Sequence, residues 1–169
     1  MLLATIGMPP SWRRERPRRT GTPCVEKLAV ASCELCESPG GPVLWRNALA
    51  RVVAVEDVDY PGFCRVILNR HAAEMTDLAE ADQHALLAVV LAVEAVLRAV
   101  VRPHKINLAS LGNVVPHVHW HVIPRFRDDR HFPAPVWAAP ARASAPARRV
   151  DAAALRSALA ARLGPSLAV

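Results

Sequence analysis

His117-Val118-His119-Trp120-His121-Val122-Ile123, running into Pro124-Arg125, decides the fold of this chain. Three histidines alternate with apolar residues. In a strand successive side chains point to opposite faces, so His117, His119 and His121 share one face and Val118, Trp120 and Val122 the other. In a helix of 3.6 residues per turn the imidazoles would spread over about 200° and could not converge on one ligand. The β-branched and aromatic residues between them favour the strand. The stretch therefore reads as a half-buried strand that presents three imidazoles to one pocket. Each histidine on that face forgoes apolar burial or needs a hydrogen-bond partner. Two chemistries follow from the residues alone, a metal site built from imidazoles and nucleophilic catalysis by one imidazole held by its neighbours.

Working outward, Ile106 to Leu111 reads as a neighbouring strand and Gly112-Asn113 as the turn that joins it to the histidine strand. Upstream, Val43-Leu44-Trp45, Arg51 to Val55 and Phe63 to Leu68 read as three more strands, separated by Asn47-Ala48 and by an acidic loop, Glu56 to Asp59, that ends in Tyr60-Pro61-Gly62. Met75 to Val101 reads as the main helix, with a break near Ala81-Asp82, cap candidates Thr76 and Asp77, and Pro103 beyond its end. Leu86, Leu87, Val90, Leu91, Val93, Ala95 and Leu97 give it an apolar surface broad enough to cover a sheet and leave some for a second subunit. Five strands and one long helix with local connections predict an α+β fold, an antiparallel sheet packed on a helix. Further on, His131 to Trp137 is a proline-stiffened segment, either a strap over the protein's own core or an arm toward a partner. Residues 139–149 are a linker. Asp151 then caps a short C-terminal helix within residues 150–169, with Val150 and Leu155 as a hydrophobic staple, Leu155, Leu159 and Leu163 at i, i+4 spacing, and Gly164-Pro165 as its stop.

Gly112-Asn113-Val114-Val115-Pro116-His117-Val118-His119-Trp120-His121-Val122-Ile123-Pro124-Arg125 resembles the signature of the histidine triad (HIT) proteins, His-φ-His-φ-His-φ-φ with φ apolar, and the resemblance extends over roughly residues 33–137. It implies a HIT domain at 32–138 with a five-stranded antiparallel sheet, and an enzyme that hydrolyses or transfers nucleotides at the α-phosphate of a dinucleoside polyphosphate or a nucleoside phosphoramidate. It also implies a covalent nucleotidyl-histidine intermediate with His119 as nucleophile, His117 orienting the site, His121 donating to a phosphate oxygen, and a homodimer. Asn107 resembles an asparagine used near the phosphate. Asp57, or Glu56 in another alignment of the loop, would accept from the ribose hydroxyls. Gly112 and Asn113 would turn backbone N–H groups and an amide toward the phosphate oxygens. Catalysis of this kind needs no cofactor.

Cys33-Glu34-Leu35-Cys36 is a CxxC pair that reads as half a zinc site, a redox pair or two small apolar residues; a redox role would need a thioredoxin-like βαβ context that the chain lacks. Some HIT proteins bind a structural zinc through such a pair and two histidines. The resemblance puts His71 at one of these positions and His104 at the other. Two departures from the family pattern bear on rate. Val114 stands where many members have Ser or Thr, so a hydroxyl that would assist the leaving group is missing. Phe63 stands where many have a histidine that supports the triad.

The formal charge of +6 at pH 7 lies mostly at the front of the chain, where Arg13, Arg14, Arg16, Arg18 and Arg19 outweigh Glu15 by four charges. Residues 1–31 read as a disordered basic Arg/Pro-rich extension, or as upstream sequence ahead of a start at Met8 or later. The domain itself then carries little of the charge that nucleic-acid binding requires. Ala85 to Val101 is interrupted by Glu94 and Arg98 and reads as too short and too charged for a membrane span. The N-terminus lacks the order of a signal peptide, four cysteines do not suggest a disulfide scaffold, and the cytoplasm is the default location. Two rivals to the enzyme reading are a metal-dependent hydrolase with the triad histidines as ligands, and a nucleotide-binding module with weak catalysis, suggested by Val114 and Phe63. Against the first, no carboxylate is placed near the triad strand as an obvious base.

Overall fold

Asn47 starts the sheet. Its side-chain oxygen accepts from the N–H groups of Leu49 (2.9 Å) and Ala50 (2.8 Å), a turn that folds strand β1 (Val43–Arg46) back onto β2 (Ala50–Ala54). In the computed structural model, which describes residues 32–168, three more strands follow: β3 (Cys64–Leu68), β4 (Lys105–Ser110) and β5 (His119–Arg125). They form one five-stranded sheet in the order β1-β2-β3-β5-β4, with every neighbouring pair antiparallel. The triad strand lies between β3 and β4, so its side chains have a neighbour on each flank. The basic extension over residues 1–31 lies outside the described residues.

The helix α2 (Glu80–Val100) crosses one face of the sheet. Its buried residues, Leu86, Val89, Val90, Ala92, Val93, Val96 and Leu97, recur at helical spacing and meet Val52, Val66, Leu68 and Val122 from the strands. Leu86 and Leu97 are fully buried, and truncating either to Ala would cost about 2–5 kcal/mol. The predicted start of this helix is corrected. Met75–Asp77 is a separate 3-10 turn, closed by reciprocal side-chain to backbone bonds between Glu74 and Asp77, and α2 begins after Ala79. Thr76 and Asp77 therefore do not cap it. The same helix is longer than the stretch Ala85 to Val101 that reads as too short and too charged for a membrane span. Glu80–Val100 is long and apolar enough by length and composition to cross a bilayer, but its apolar stripe is spent on the sheet.

The C-terminal helix α3 (Ala152–Leu163) forms as expected. Asp151 Oδ1 accepts from the Ala153 N–H at 2.8 Å, Leu155 and Leu159 are buried, and Gly164 at φ 87° ends it. It packs on α2 and β1, and Trp45 Nε1 donates to the Gly164 carbonyl at 2.9 Å. Part of the apolar surface that α2 was expected to offer a second subunit is thus covered by the chain's own tail.

The opposite face carries the chemistry. Strict alternation places Arg51 and Val53 of β2, Arg65 and Ile67 of β3, and His119, His121 and Ile123 of β5 on it. Two segments lie over this face. One is the short helix α1 (Glu34–Glu37), whose Leu35 packs with Cys33, Val53 and Ile67. Arg51 pins it, donating to the carbonyls of Leu35 (2.6 Å), Ser38 (3.2 Å) and Pro39 (2.9 Å). The other is the stretch after β5, which bends back so that Trp137 reaches the site on its own chain.

Candidate functional site

His119 and His121 open onto a cavity of about 380 Å³ that Arg65, Gly112, Asn113 and Trp137 also line. Glu34 from α1 and Val114 from the β4–β5 turn stand at its edge. The two imidazole centroids are 4.9 Å apart, and Trp137 sets its edge against His121 at 5.3 Å. Gly112 and Asn113, expected to bind phosphate, line this cavity.

His119 is oriented by its own strand. Its Nδ1 lies 2.6 Å from the His117 carbonyl oxygen. A carbonyl can only accept, so Nδ1 carries the proton, and the neutral ring keeps its lone pair on Nε2. Ser110 Oγ donates to the His119 carbonyl at 3.0 Å and holds the backbone from the β4 side. His121 sits against Phe63, with centroids 5.6 Å apart. Burial first, then the neighbouring His119 and Arg65, lower its pKa to about 4. Its Nδ1 is buried and has no hydrogen-bond partner among the described residues.

His117 departs from the expectation that all three histidines face one pocket. It precedes β5. It shares the face of His119 and His121, since Val118 beside it packs into the core under α2, but it lies beyond the cavity beneath α1 and is fully buried. Nε2 lies 2.8 Å from the Leu68 carbonyl, so it carries the proton and Nδ1 presents a lone pair. That nitrogen is 3.4 Å from Cys33 Sγ and 3.5 Å from Cys36 Sγ, and His71 Nδ1 is 3.5 Å from Cys36 Sγ. The four donor atoms lie within 4.8 Å of one another. A tetrahedral zinc with Zn–S of about 2.3 Å and Zn–N of about 2.05 Å sets its S and N ligands about 3.5 Å apart, so this donor set fits zinc. The Leu68 carbonyl that fixes the His117 tautomer is the outer-sphere partner such a ligand requires.

Three predicted residues fall elsewhere. His104 is no part of the cysteine cluster; its N–H bonds the Arg125 carbonyl and its ring sits edge-on to Phe132 at 5.6 Å. The fourth position belongs to His117, which lies beside Cys33 and Cys36 beneath α1. Asn107 does not line the cavity. Its Oδ1 accepts from Arg125 Nη1 at 2.5 Å, and it pairs with Ile123, beyond the two site histidines along the strand. Asp57 accepts from the Asp59 N–H at 2.9 Å, and with Glu56 it lines a different cavity beside α3. The metal-dependent rival fails on geometry as well, since His117 faces the thiols while His119 and His121 face the cavity.

The residues that hold the strap follow no strand or helix period. Arg125 and Asp129 form a buried ion pair at 2.7 Å, their side chains 2% and 1% exposed. Burial alone would raise the Asp129 carboxyl, but hydrogen bonds from Arg125 and from the N–H groups of His131 and Phe132 outweigh it and hold the pKa below its usual value. Arg125 also donates to the Ala134 carbonyl at 2.8 Å, and Tyr60 hydrogen-bonds His131. Asp129 placed four residues after Arg125 was the available signal. These contacts seat residues 131–137 on the chain's own face and bring Trp137 to the cavity.

The HIT-domain family model matches residues 42–128. An AP-4-A phosphorylase of Mycobacterium tuberculosis is 31% identical over 78 residues, 43% of this chain and 40% of that protein. The chain thus spans about two fifths of the length of the curated relatives it matches. Among solved structures, a histidine triad protein from Bradyrhizobium japonicum is 29% identical with a TM-score of 0.59, covering 73% of this chain and 91% of that one. A histidine triad protein from Marinobacter aquaeolei VT8, at 24% identity and a TM-score of 0.60, covers 73% and 92% and shows the same fold.

Proposed function

The chain belongs to the HIT-domain family, and on that premise we propose that it is a nucleotide hydrolase or nucleotidyltransferase that works through a covalent nucleotidyl-histidine on His119. The observation that carries the proposal is the 2.6 Å contact from His119 Nδ1 to the His117 carbonyl, which leaves Nε2 as the free basic nitrogen at the cavity. The likeness to an AP-4-A phosphorylase supports a substrate whose reacting atom is the α-phosphorus of a dinucleoside polyphosphate; a nucleoside phosphoramidate is the other candidate.

In the first step the Nε2 lone pair attacks phosphorus. A P–N bond forms, the bond to the leaving group breaks, and the leaving group takes the electron pair. The ring becomes a cation, and the His117 carbonyl dipole stabilises it through Nδ1–H. His121 and the Gly112-Asn113 turn would donate to the phosphoryl oxygens as their charge grows. In the second step an oxygen of water, which releases its proton to solvent, or of a phosphate acceptor attacks the same phosphorus. The P–N bond breaks and its electron pair returns to Nε2. Trp137 would close the cavity against bulk water.

Cys33, Cys36, His71 and His117 would hold a structural zinc. Bound there, it supplies a cross-link between α1, the end of β3 and the residue whose carbonyl orients His119, with no part in bond making.

Intact-mass analysis after rapid quench with adenylylated substrates tests the proposal on the parent and on His119→Gly. A nucleoside monophosphate adduct on the parent alone is the expected result. Nucleotide binding with no adduct and no turnover would leave a binding module, the reading that Val114 and Phe63 favour. Turnover by His119→Asn at the parent rate would refute it outright.

A further inference from the structure

Among the described residues that line the cavity Arg65 is the one arginine or lysine, and the two-step chemistry above does not use it. It sits on β3 directly opposite His121 in the antiparallel register and diagonal to His119, on the same face of the sheet. It makes no ion pair among the described residues. Its Nε is buried without a hydrogen-bond partner among the described residues, as is Nδ1 of the facing His121. A buried Arg Nε–H is an obligatory donor, and leaving it unmatched costs free energy that no packing contact returns. The two side chains that carry these unmatched nitrogens lie on adjacent strands and line one cavity, so each has hydrogen-bonding capacity left for a ligand. An arginine fork suits a phosphate with two free oxygens.

Resting on the nucleotide reading above, we infer that Arg65 determines specificity by binding a second phosphate, the one beyond the phosphorus that His119 attacks, so that the substrate class is the phosphoanhydride and not the phosphoramidate. An amine leaving group must gain a proton as it departs. A guanidinium cannot supply one, and the turn offers Val114 where a hydroxyl would stand. Burial keeps His121 neutral near pH 7 and so removes the nearest imidazolium. A phosphate leaving group needs a fixed positive charge, and that is what β3 places here. The attacked phosphoryl group already has the Gly112-Asn113 turn and His121. The guanidinium lies one strand further on, a cross-strand step of about 5 Å, and the next phosphorus of a polyphosphate chain falls in that direction.

Equilibrium titration calorimetry tests this with AMP, adenosine 5′-(α,β-methylene)diphosphate (which cannot be cleaved between its phosphates) and inorganic tripolyphosphate. The proteins are the full chain and its Arg65→Met and Arg65→Lys variants, each checked for folding by its thermal midpoint. The parent should bind the methylene diphosphate about 10- to 100-fold more tightly than AMP, the worth of one charge-assisted contact. Arg65→Met should abolish that difference while changing AMP affinity less than about threefold, and Arg65→Lys should restore part of it. Equal affinity of the parent for the two nucleotides overturns the inference without any variant. So does an equal loss of both in Arg65→Met, which would put the guanidinium on the α-phosphate, and the nucleotide reading would survive either result. Tripolyphosphate binding that depends on Arg65, with neither nucleotide bound, would keep the anion site and sink the nucleotide reading. No binding of any of the three sinks both.

Discussion

Replacing Asp129 by Ala leaves Arg125 as a buried cation without its carboxylate. The magnitude follows from the contacts. Asp129 accepts from Arg125 Nε (2.7 Å) and Nη2 (3.1 Å) and from the N–H groups of Phe126 (3.2 Å), His131 (3.0 Å) and Phe132 (2.7 Å). Breaking a buried ion pair from one side costs about 3–5 kcal/mol, since the remaining charge stays desolvated. Arg125 keeps Asn107 and the Ala134 carbonyl, which places Asp129→Ala near the lower end, about 3 kcal/mol. Urea unfolding at pH 7 measures it, and a cycle with Arg125→Met and the double variant isolates the pair. The double variant removes the stranded charge, so the two single losses should exceed the double loss by at least about 2 kcal/mol. The sign of the pH dependence is fixed by the depressed carboxyl. The stabilisation is complete above the ordinary aspartate value near 4 and is lost as pH falls through the lower folded value. The gap between parent and variant should therefore hold from pH 7 to about 5 and shrink only in stronger acid. A single-variant loss under about 1 kcal/mol, or losses that simply add, would refute the assignment of this pair as the clamp of the strap.

Metal analysis of the purified protein should find about one zinc per chain, absent from Cys36→Ser and His71→Ala. Chelation should lower the thermal midpoint by at least about 5 °C; metal-free protein with an unchanged midpoint would contradict the donor set. His121, with its folded pKa near 4 against an ordinary value near 6.5, binds its proton more readily unfolded. The parent should therefore lose stability as pH falls from about 6.5 to about 4, and His121→Gln should lose less over that window in urea titrations; identical slopes would remove His121 as the cause. Trp137→Ala opens the side of the cavity that faces His121 and should weaken nucleotide binding about 5- to 100-fold with the fold intact, the range for losing one aromatic stacking partner; unchanged affinity would mean that the strap only covers the sheet.

How far the sequence could be read depends on which geometry each residue obeys. Period-two alternation in Cys64–Leu68 and His119–Arg125 and helical spacing in Glu80–Val100 are properties of the element itself, and they placed the sheet, the helix and the pair His119/His121 from residue types alone. Contacts made by bends in the chain carry no such period. His117 is two residues from His119 and shares its face, as the alternation predicts, but Cys33 and Cys36 arrive over it from a distant part of the chain, so its imidazole joins the thiol cluster and not the cavity. For the same reason His104, Asn107 and Asp57, located by distance along the sequence, fell outside the clusters expected of them. Arg65 went unread because an arginine on a strand usually faces water, and only the pairing of β3 with β5 shows it opposite His121. The position of His117 has a mechanical consequence. The imidazole of this residue belongs to the thiol cluster while its carbonyl fixes the proton on His119 Nδ1. Whatever holds the imidazole therefore sets the orientation of the attacking nitrogen one residue-pair away. Loosening Cys33 or Cys36 should thus disturb His119 without touching it, a coupling that a strand with three equivalent histidines could not have.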